Sequence, residues 1–276
     1  MKKKVIPAII IIVLIFVFGG IFVLQQYMKH FSYSTEMADL NSYFGVESEE
    51  DVPIIYKNEI IEEHAKLFDG YYYMDFDTVQ KYLNDRFYYG EADGTLLYTT
   101  PSAIITSAIG TDSWSDTEGG GAQEPYMITR LEGDTLYVAL EYVKKYTNFE
   151  YEGFTDPNRM VLTNSWEDET VATVAKDTQI RLRGGVKSEV LTEIAKDQNV
   201  VVLEEMENWT KVQSSDGFIG YVENKKLKDT KTKSPIPVTD YQEPEYSSIH
   251  KDFVINLGFH NIGGAAGNDT LGDAIA

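Results

Sequence analysis

Between Thr173 and Leu227, apolar and polar positions alternate in short runs separated by turn residues. From Gln179 to Arg183, Ile180 and Leu182 fall on one face while Gln179, Arg181 and Arg183 fall on the other. Val200–Leu203 is an unbroken apolar run, Trp209–Val212 alternates again, and Phe218–Val222 closes the set. Strands this short, with turn signals roughly every ten residues, predict a small all-β antiparallel barrel over residues 170–228. Asp216-Gly217 supplies the dipeptide that a tight hairpin prefers, because glycine tolerates positive φ.

The N-terminal pattern is different. Val5–Leu24 is twenty residues without a charge, the length that spans a hydrocarbon core of roughly 30 Å at about 1.5 Å per residue. No Ala-x-Ala cleavage site follows it, so it reads as an uncleaved transmembrane helix rather than a signal peptide. Lys2, Lys3 and Lys4 place its N-terminal end in the cytoplasm and the rest of the chain outside the cell, on a single-pass membrane protein. The lipid bilayer is thus one partner, through residues 5–24, and residues 1–28 form the stub and anchor. Residues 29–51, acidic at Glu47–Asp51, read as a juxtamembrane spacer, and Val52–Tyr56 as a strand at a sheet edge, where Pro53 is tolerated.

Residues 52–165 contain a duplication. Gly70–Tyr82 returns 64 residues later as Asp134–Tyr146, with Tyr73, Val79, Lys81 and Tyr82 falling on Tyr137, Val143, Lys145 and Tyr146. The register continues from Leu96–Thr99 onto Met160–Thr163, with Asp93-Gly94 falling on Pro157-Asn158. Each copy reads as strand, short helix and hairpin, giving a pseudo-symmetric α+β domain. Asp75-Phe76-Asp77 reads as the cap between strand and helix. Between the copies, Gly110–Pro125 is a Gly- and acid-rich segment that reads as a solvated hairpin loop, with Trp114 near its tip a candidate ligand contact.

After the barrel, residues 229–250 read as a linker kept extended by Pro235, Pro237 and Pro244. Residues 251–276 then give a strand over Phe253–His260, a Gly-rich turn, and a helix start at Asp269. A lone strand–turn–helix cannot bury its apolar face, so this reads as the opening of something larger.

Composition narrows the chemistry. With no cysteine there is no disulfide, zinc-thiolate site or thiol nucleophile. The net charge of -20 would repel phosphate backbones, which excludes a nucleic-acid role. His64 stands alone, no cluster has metal-ligand spacing, and no cofactor is implied. Neither a Ser-His-Asp arrangement around His30, His64, His250 or His260 nor any other catalytic set can be assembled.

Three resemblances add to this reading. Leu182-Arg183, Asn208-Trp209, Lys211-Val212, Gly217, Gly220 and Tyr221-Val222 resemble the signature of the bacterial SH3-like (SH3b) domain; where that family usually has Pro-Ser after Leu-Arg, this chain has Gly184–Ser188. The resemblance implies binding of peptidoglycan or another cell-wall polymer, with Trp209 and Tyr221 as stacking surfaces and Arg183 as a carboxylate contact. The duplicated unit resembles the copper amine oxidase N-terminal-type domain, which carries no copper centre and implies a spacer or adhesive role. Residues 251–276 resemble the first β/α unit of a family 18 (chitinase-like) glycoside hydrolase barrel. The Asp-x-x-Asp-x-Asp-x-Glu run of that family is absent, so this chain reads as the non-catalytic N-terminal part, cut short at the first barrel strand. The expected function is a membrane-anchored, extracytoplasmic wall-binding protein. The alternatives are a hydrolase of GlcNAc-containing glycans, if the remaining barrel is present in the whole protein, and a protein-binding sensor or scaffold.

Overall fold

The alternating residues do become strands of one sheet, and two further sheets are built from the duplicated segment. The computed structural model describes residue 14, residues 16–28 and residues 32–234. Most of the apolar run before Phe16, and the strand, turn and helix expected over 251–276, lie outside the described residues. Residues 16–28 form a helix (α1) whose Phe16, Phe18, Phe22 and Leu24 are exposed. Among the described residues no helix is long and apolar enough to cross a membrane.

The duplicated region is mostly β. After α2 (Leu40–Phe44) of the preceding segment, it contains in chain order β1 (Asp51–Tyr56), β2 (Glu59–Phe68), β3 (Tyr71–Asp75), α3 (Phe76–Tyr82), β4 (Phe87–Gly90) and β5 (Thr95–Thr99). There follow β6 (Ile104–Ala108), β7 (Ser113–Asp116), β8 (Gly121–Gln123), β9 (Thr129–Glu132), β10 (Thr135–Ala139), α4 (Leu140–Val143), β11 (Glu150–Phe154) and β12 (Arg159–Thr163). The 64-residue offset carries β3 onto β10 and β5 onto β12 residue for residue. The two copies meet where β3 and β10 pair antiparallel, with Met74 opposite Val138.

The expected balance of helix and strand is corrected. The helices are single turns or little more, and a cap explains why the second is the shorter. The Asp75 carboxylate accepts from the Thr78 amide at 3.0 Å, whereas the equivalent position is Ala139, which has no side chain to cap with.

The edge-strand expectation for β1 is also corrected. The larger sheet runs β11-β12-β1-β2-β3-β10-β9, so β1 is interior. Pro53 stands opposite His64 of β2, and pairing with β12 begins only at Ile54, so the missing N–H removes no bond to β12. The second sheet, β4-β5-β6-β7-β8, closes over the α3–α4 side. Between them lies a core rich in aromatics: Tyr73, Phe87, Tyr142 and Phe149 are fully buried, and the Tyr98 and Tyr146 rings stack with centroids 4.4 Å apart.

The barrel follows directly. Its strands are β13 (Glu169–Val174), β14 (Thr178–Arg181), β15 (Val190–Ile194), β16 (Asn199–Glu205), β17 (Trp209–Gln213), β18 (Ile219–Glu223) and β19 (Leu227–Lys233). The sheet order is β15-β14-β18-β17-β16-β13-β19. The linker expected from residue 229 therefore begins as strand, since β19 pairs with β13 as far as Lys233 opposite Glu169. The expected turn at Asp216-Gly217 is present, with Gly217 at φ 88°.

Two features join barrel and repeat. Residues 32–46, expected as a spacer, lie along the barrel instead. Ser34 donates to the Val186 carbonyl, Ala38 to Val190, and Val190 back to Glu36, so the segment covers the free edge of β15. The segment ends in α2, whose Phe44 is buried in the barrel core beside Phe218. The second joint is Arg159 at the start of β12, which is 3% exposed. Its guanidinium lies over the rings of Phe218 (4.5 Å), Phe44 and Phe154 (both 5.2 Å). It also donates to the Asp216 carbonyl at 2.7 Å and the Asp216 carboxylate at 3.1 Å. Gly217 is needed twice here, because a Cβ would sit 3.0 Å from Val161 and 3.1 Å from Ile55 of the repeat. Arg159→Ala is expected to destabilise the protein by about 3 kcal/mol or more, since it leaves buried acceptors and an empty site between the two parts. In guanidinium-induced unfolding the single transition should split in two as the barrel and repeat uncouple; an unchanged midpoint would refute this.

Candidate functional site

The outer face of the β17–β18 hairpin is set by pairing. Trp209 stands opposite Glu223 and Lys211 opposite Tyr221, while Thr210, Val212 and Val222 turn inward and are buried. Tyr221 is in turn opposite Arg181 on β14, and Gln179 is opposite Glu193 on β15. One end of this face is an open groove of about 820 Å³. Trp209, Arg181, Gln179, Glu193 and Glu223 line it, with Lys176, Lys225 and Lys226 at one side.

Glycine places the tryptophan. A Cβ on Gly184 would approach the Trp209 ring to 3.3 Å, so the bare backbone of the β14–β15 turn lets the indole lie close against it. Arg181 forms the floor and is 2% exposed. Its guanidinium donates to three neutral acceptors: the Ser188 carbonyl (2.6 Å), the Ser34 carbonyl (3.0 Å) and the Gln179 side-chain oxygen (2.7 Å). The Tyr33 ring lies over it, with the centroid 5.4 Å away. Tyr33 donates to both Glu223 oxygens at 2.9 Å and accepts from Lys225 at 3.1 Å, so the segment before the repeat forms one wall of the groove.

The electrostatics of the groove differ from those of the chain. Residues 32–168 carry 8 Lys and Arg against 27 Asp and Glu, whereas residues 169–234 carry 11 against 11. Burial, the neighbouring Lys176 and Lys225 together hold the Lys226 amine below its usual range. Burial alone would raise the Glu223 carboxyl, but hydrogen bonds from Lys225 and Tyr33 outweigh it and draw the group down.

Of the three side chains singled out from the sequence, the structure brings only Trp209 into the groove. Tyr221 is half-buried on the same face but does not line it, and Arg183 is exposed in the turn after β14. Sequence reasoning missed Arg181, Tyr33 and Lys226. Arg181 shares its alternation parity with Arg183, and nothing local tells which of the two the distant Tyr33 segment covers. Trp114 is corrected as well: it packs partly buried against the repeat core and donates its indole N–H to Glu124 at 3.0 Å. His64 contacts both Asp51 oxygens, at 3.0 and 2.9 Å, and no group of three His, Cys, Asp or Glu among the described residues could hold a metal.

The depressed Glu223 carboxyl gives a pH signature. Its stabilising contact with Tyr33 and Lys225 is complete above the ordinary glutamate value of about 4.3 and is lost as pH falls through the lower folded value. The stability difference between wild type and Glu223→Gln should be present at pH 6 and vanish under stronger acid, as read by urea unfolding at each pH. A difference that persists unchanged into strong acid would count against the assignment.

Comparison with known families supports the barrel alone. No curated protein and no solved structure matches the chain. No match bears on the copper amine oxidase-type reading of the repeat or the family 18 reading of the tail. Residues 176–228 match the family described as Bacterial SH3 domain, so this chain contains a bacterial SH3 domain flanked by β13, by the end of β19 and by the segment that carries Tyr33.

Proposed function

We propose that this protein binds the bacterial cell wall through the groove beside Trp209, outside the cell, while Val5–Leu24 fixes it to the membrane. The observation that carries the reading is a bacterial SH3 domain with an aromatic- and charge-lined groove on one face. Domains of this family commonly hold wall components. The groove mixes Lys176, Arg181, Lys225 and Lys226 with Asp177, Glu193 and Glu223. Such a lining suits a wall peptide bearing both amino and carboxyl groups better than a polyanion, which the acidic repeat would repel. Trp209 supplies the flat apolar surface for the backbone of such a peptide.

The anchor rests on the uncharged run and its three preceding lysines, together with the exposed apolar side chains of α1. The copper amine oxidase N-terminal-like reading of residues 52–165 and the family 18 reading of residues 251–276 stay proposals carried by their residues alone. Within them, the repeat would act as a spacer and any hydrolase activity would belong to a completed barrel.

The test is co-sedimentation of the full chain, in detergent, with purified peptidoglycan. Residues 170–230 alone would be unsuitable, because Phe44 belongs to the barrel core. Wild type should sediment and Trp209→Ala, checked for an unchanged melting temperature, should weaken retention by about tenfold or more. A chain that stays in the supernatant would sink the wall-binding reading.

A further inference from the structure

The repeat has a pocket of its own, remote in sequence from the SH3 groove. It occupies about 490 Å³, within the usual range of small-ligand sites. It opens between the β2–β3 turn, the stretch from Gln123 to Met127, and β9. One wall is aromatic: the Tyr71 and Tyr126 rings meet at 5.0 Å and 47°, with Tyr126 nearly buried and Tyr71 half-exposed.

The opposite side is polar; two of its carboxylates, Asp69 and Glu124, are ion-paired, and the third, Asp112, takes a hydrogen bond from a neutral amide. Arg130 lies over the Phe68 ring (5.2 Å) and the Tyr73 ring (5.4 Å), and pairs with Asp69. The Gln123 amide donates to Asp112 at 2.8 Å. Glu124 is held by Trp114 and by an ion pair with Lys145. One buried donor remains, since Nε of Arg130 makes no hydrogen bond.

We propose that this pocket binds a neutral saccharide. Asp69 and Glu124 are spent on Arg130 and Lys145 and Asp112 is engaged by Gln123, so no carboxylate is left bare for a cation, and the acid-rich repeat would repel an anion. What remains is a set of planar donors and acceptors beside an aromatic face. Sugar hydroxyls act both as donors and as acceptors, so they suit the Asp112–Gln123 and Asp69–Arg130 pairs. The apolar C–H face of the ring rests on Tyr71. This site is independent of the proposed role of the barrel.

The test is saturation-transfer NMR on the full chain in detergent, with neutral tetrasaccharides of N-acetylglucosamine, glucose and galactose. A cationic glucosamine tetramer and an anionic galacturonate tetramer serve as comparisons. Transfer to at least one neutral oligosaccharide is expected, insensitive to salt. Affinity should weaken about tenfold or more in Tyr71→Ala and in Gln123→Ala and stay unchanged in Trp209→Ala. Gln123 is exposed, so if Tyr71→Ala fails to fold, Gln123→Ala decides the matter. No transfer to any neutral oligomer would overturn the proposal. So would a salt-sensitive preference for a charged oligomer, wild-type affinity in Gln123→Ala, or loss of binding in Trp209→Ala.

Discussion

A single guanidinium organises the joint on which the two halves depend. Arg159 comes from the repeat, yet two of the three rings over which it lies, Phe44 and Phe218, sit in the barrel core. A buried cation is tolerated only when its donors are satisfied, and here they are, by the Asp216 carboxylate and by backbone carbonyls on both sides of the joint. Burial pulls the guanidinium below its ordinary pKa while Asp216 acts in the opposite sense. Directional bonds of this kind fix an orientation that apolar packing between Ile55, Val161 and the barrel would leave free to slide.

The chain path explains why that joint is extensive. The polypeptide visits the barrel first, through residues 32–46, leaves to build the repeat from β1 to β12, and returns at β13. The SH3 domain itself is continuous over residues 176–228, and the repeat lies between it and the segment that docks on its edge. Tyr43 reinforces the first visit: its hydroxyl donates to the Ile219 carbonyl and accepts from the Ile219 amide, and burial pushes that phenol up to about 12.

Local signals made much of this legible. Alternation and turn residues located β14, β16, β17 and β18, and Gly217 and Gly220 occupy places where a side chain would collide. The duplication was readable because both copies bury the same positions: Met74 and Val138, like Val79 and Val143, sit in one core. What was not legible depends on contacts distant in sequence. Pro53 looked like an edge residue because nothing local announces that β12, about a hundred residues later, will pair alongside from Ile54 onward. Residues 32–46 have no strand periodicity, since their bonds go to Val186 and Val190 of a sheet formed much later. In the groove, the indole of Trp209 was evident, but Arg181 and Tyr33 acquire their places only when that segment docks.

The docked segment also decides how the molecule responds to force. Met37 and Val190 run parallel, and the bonds at Ser34, Glu36, Ala38 and Val190 line one edge of β15. Tension drawn from the N-terminal end meets these bonds along their strand, in shear, where several must break together rather than one after another. The barrel takes that load before the repeat feels any of it. A pull on α1 is thus resisted first by the domain that carries the Trp209 groove, and the aromatic core of the repeat is mechanically shielded behind it.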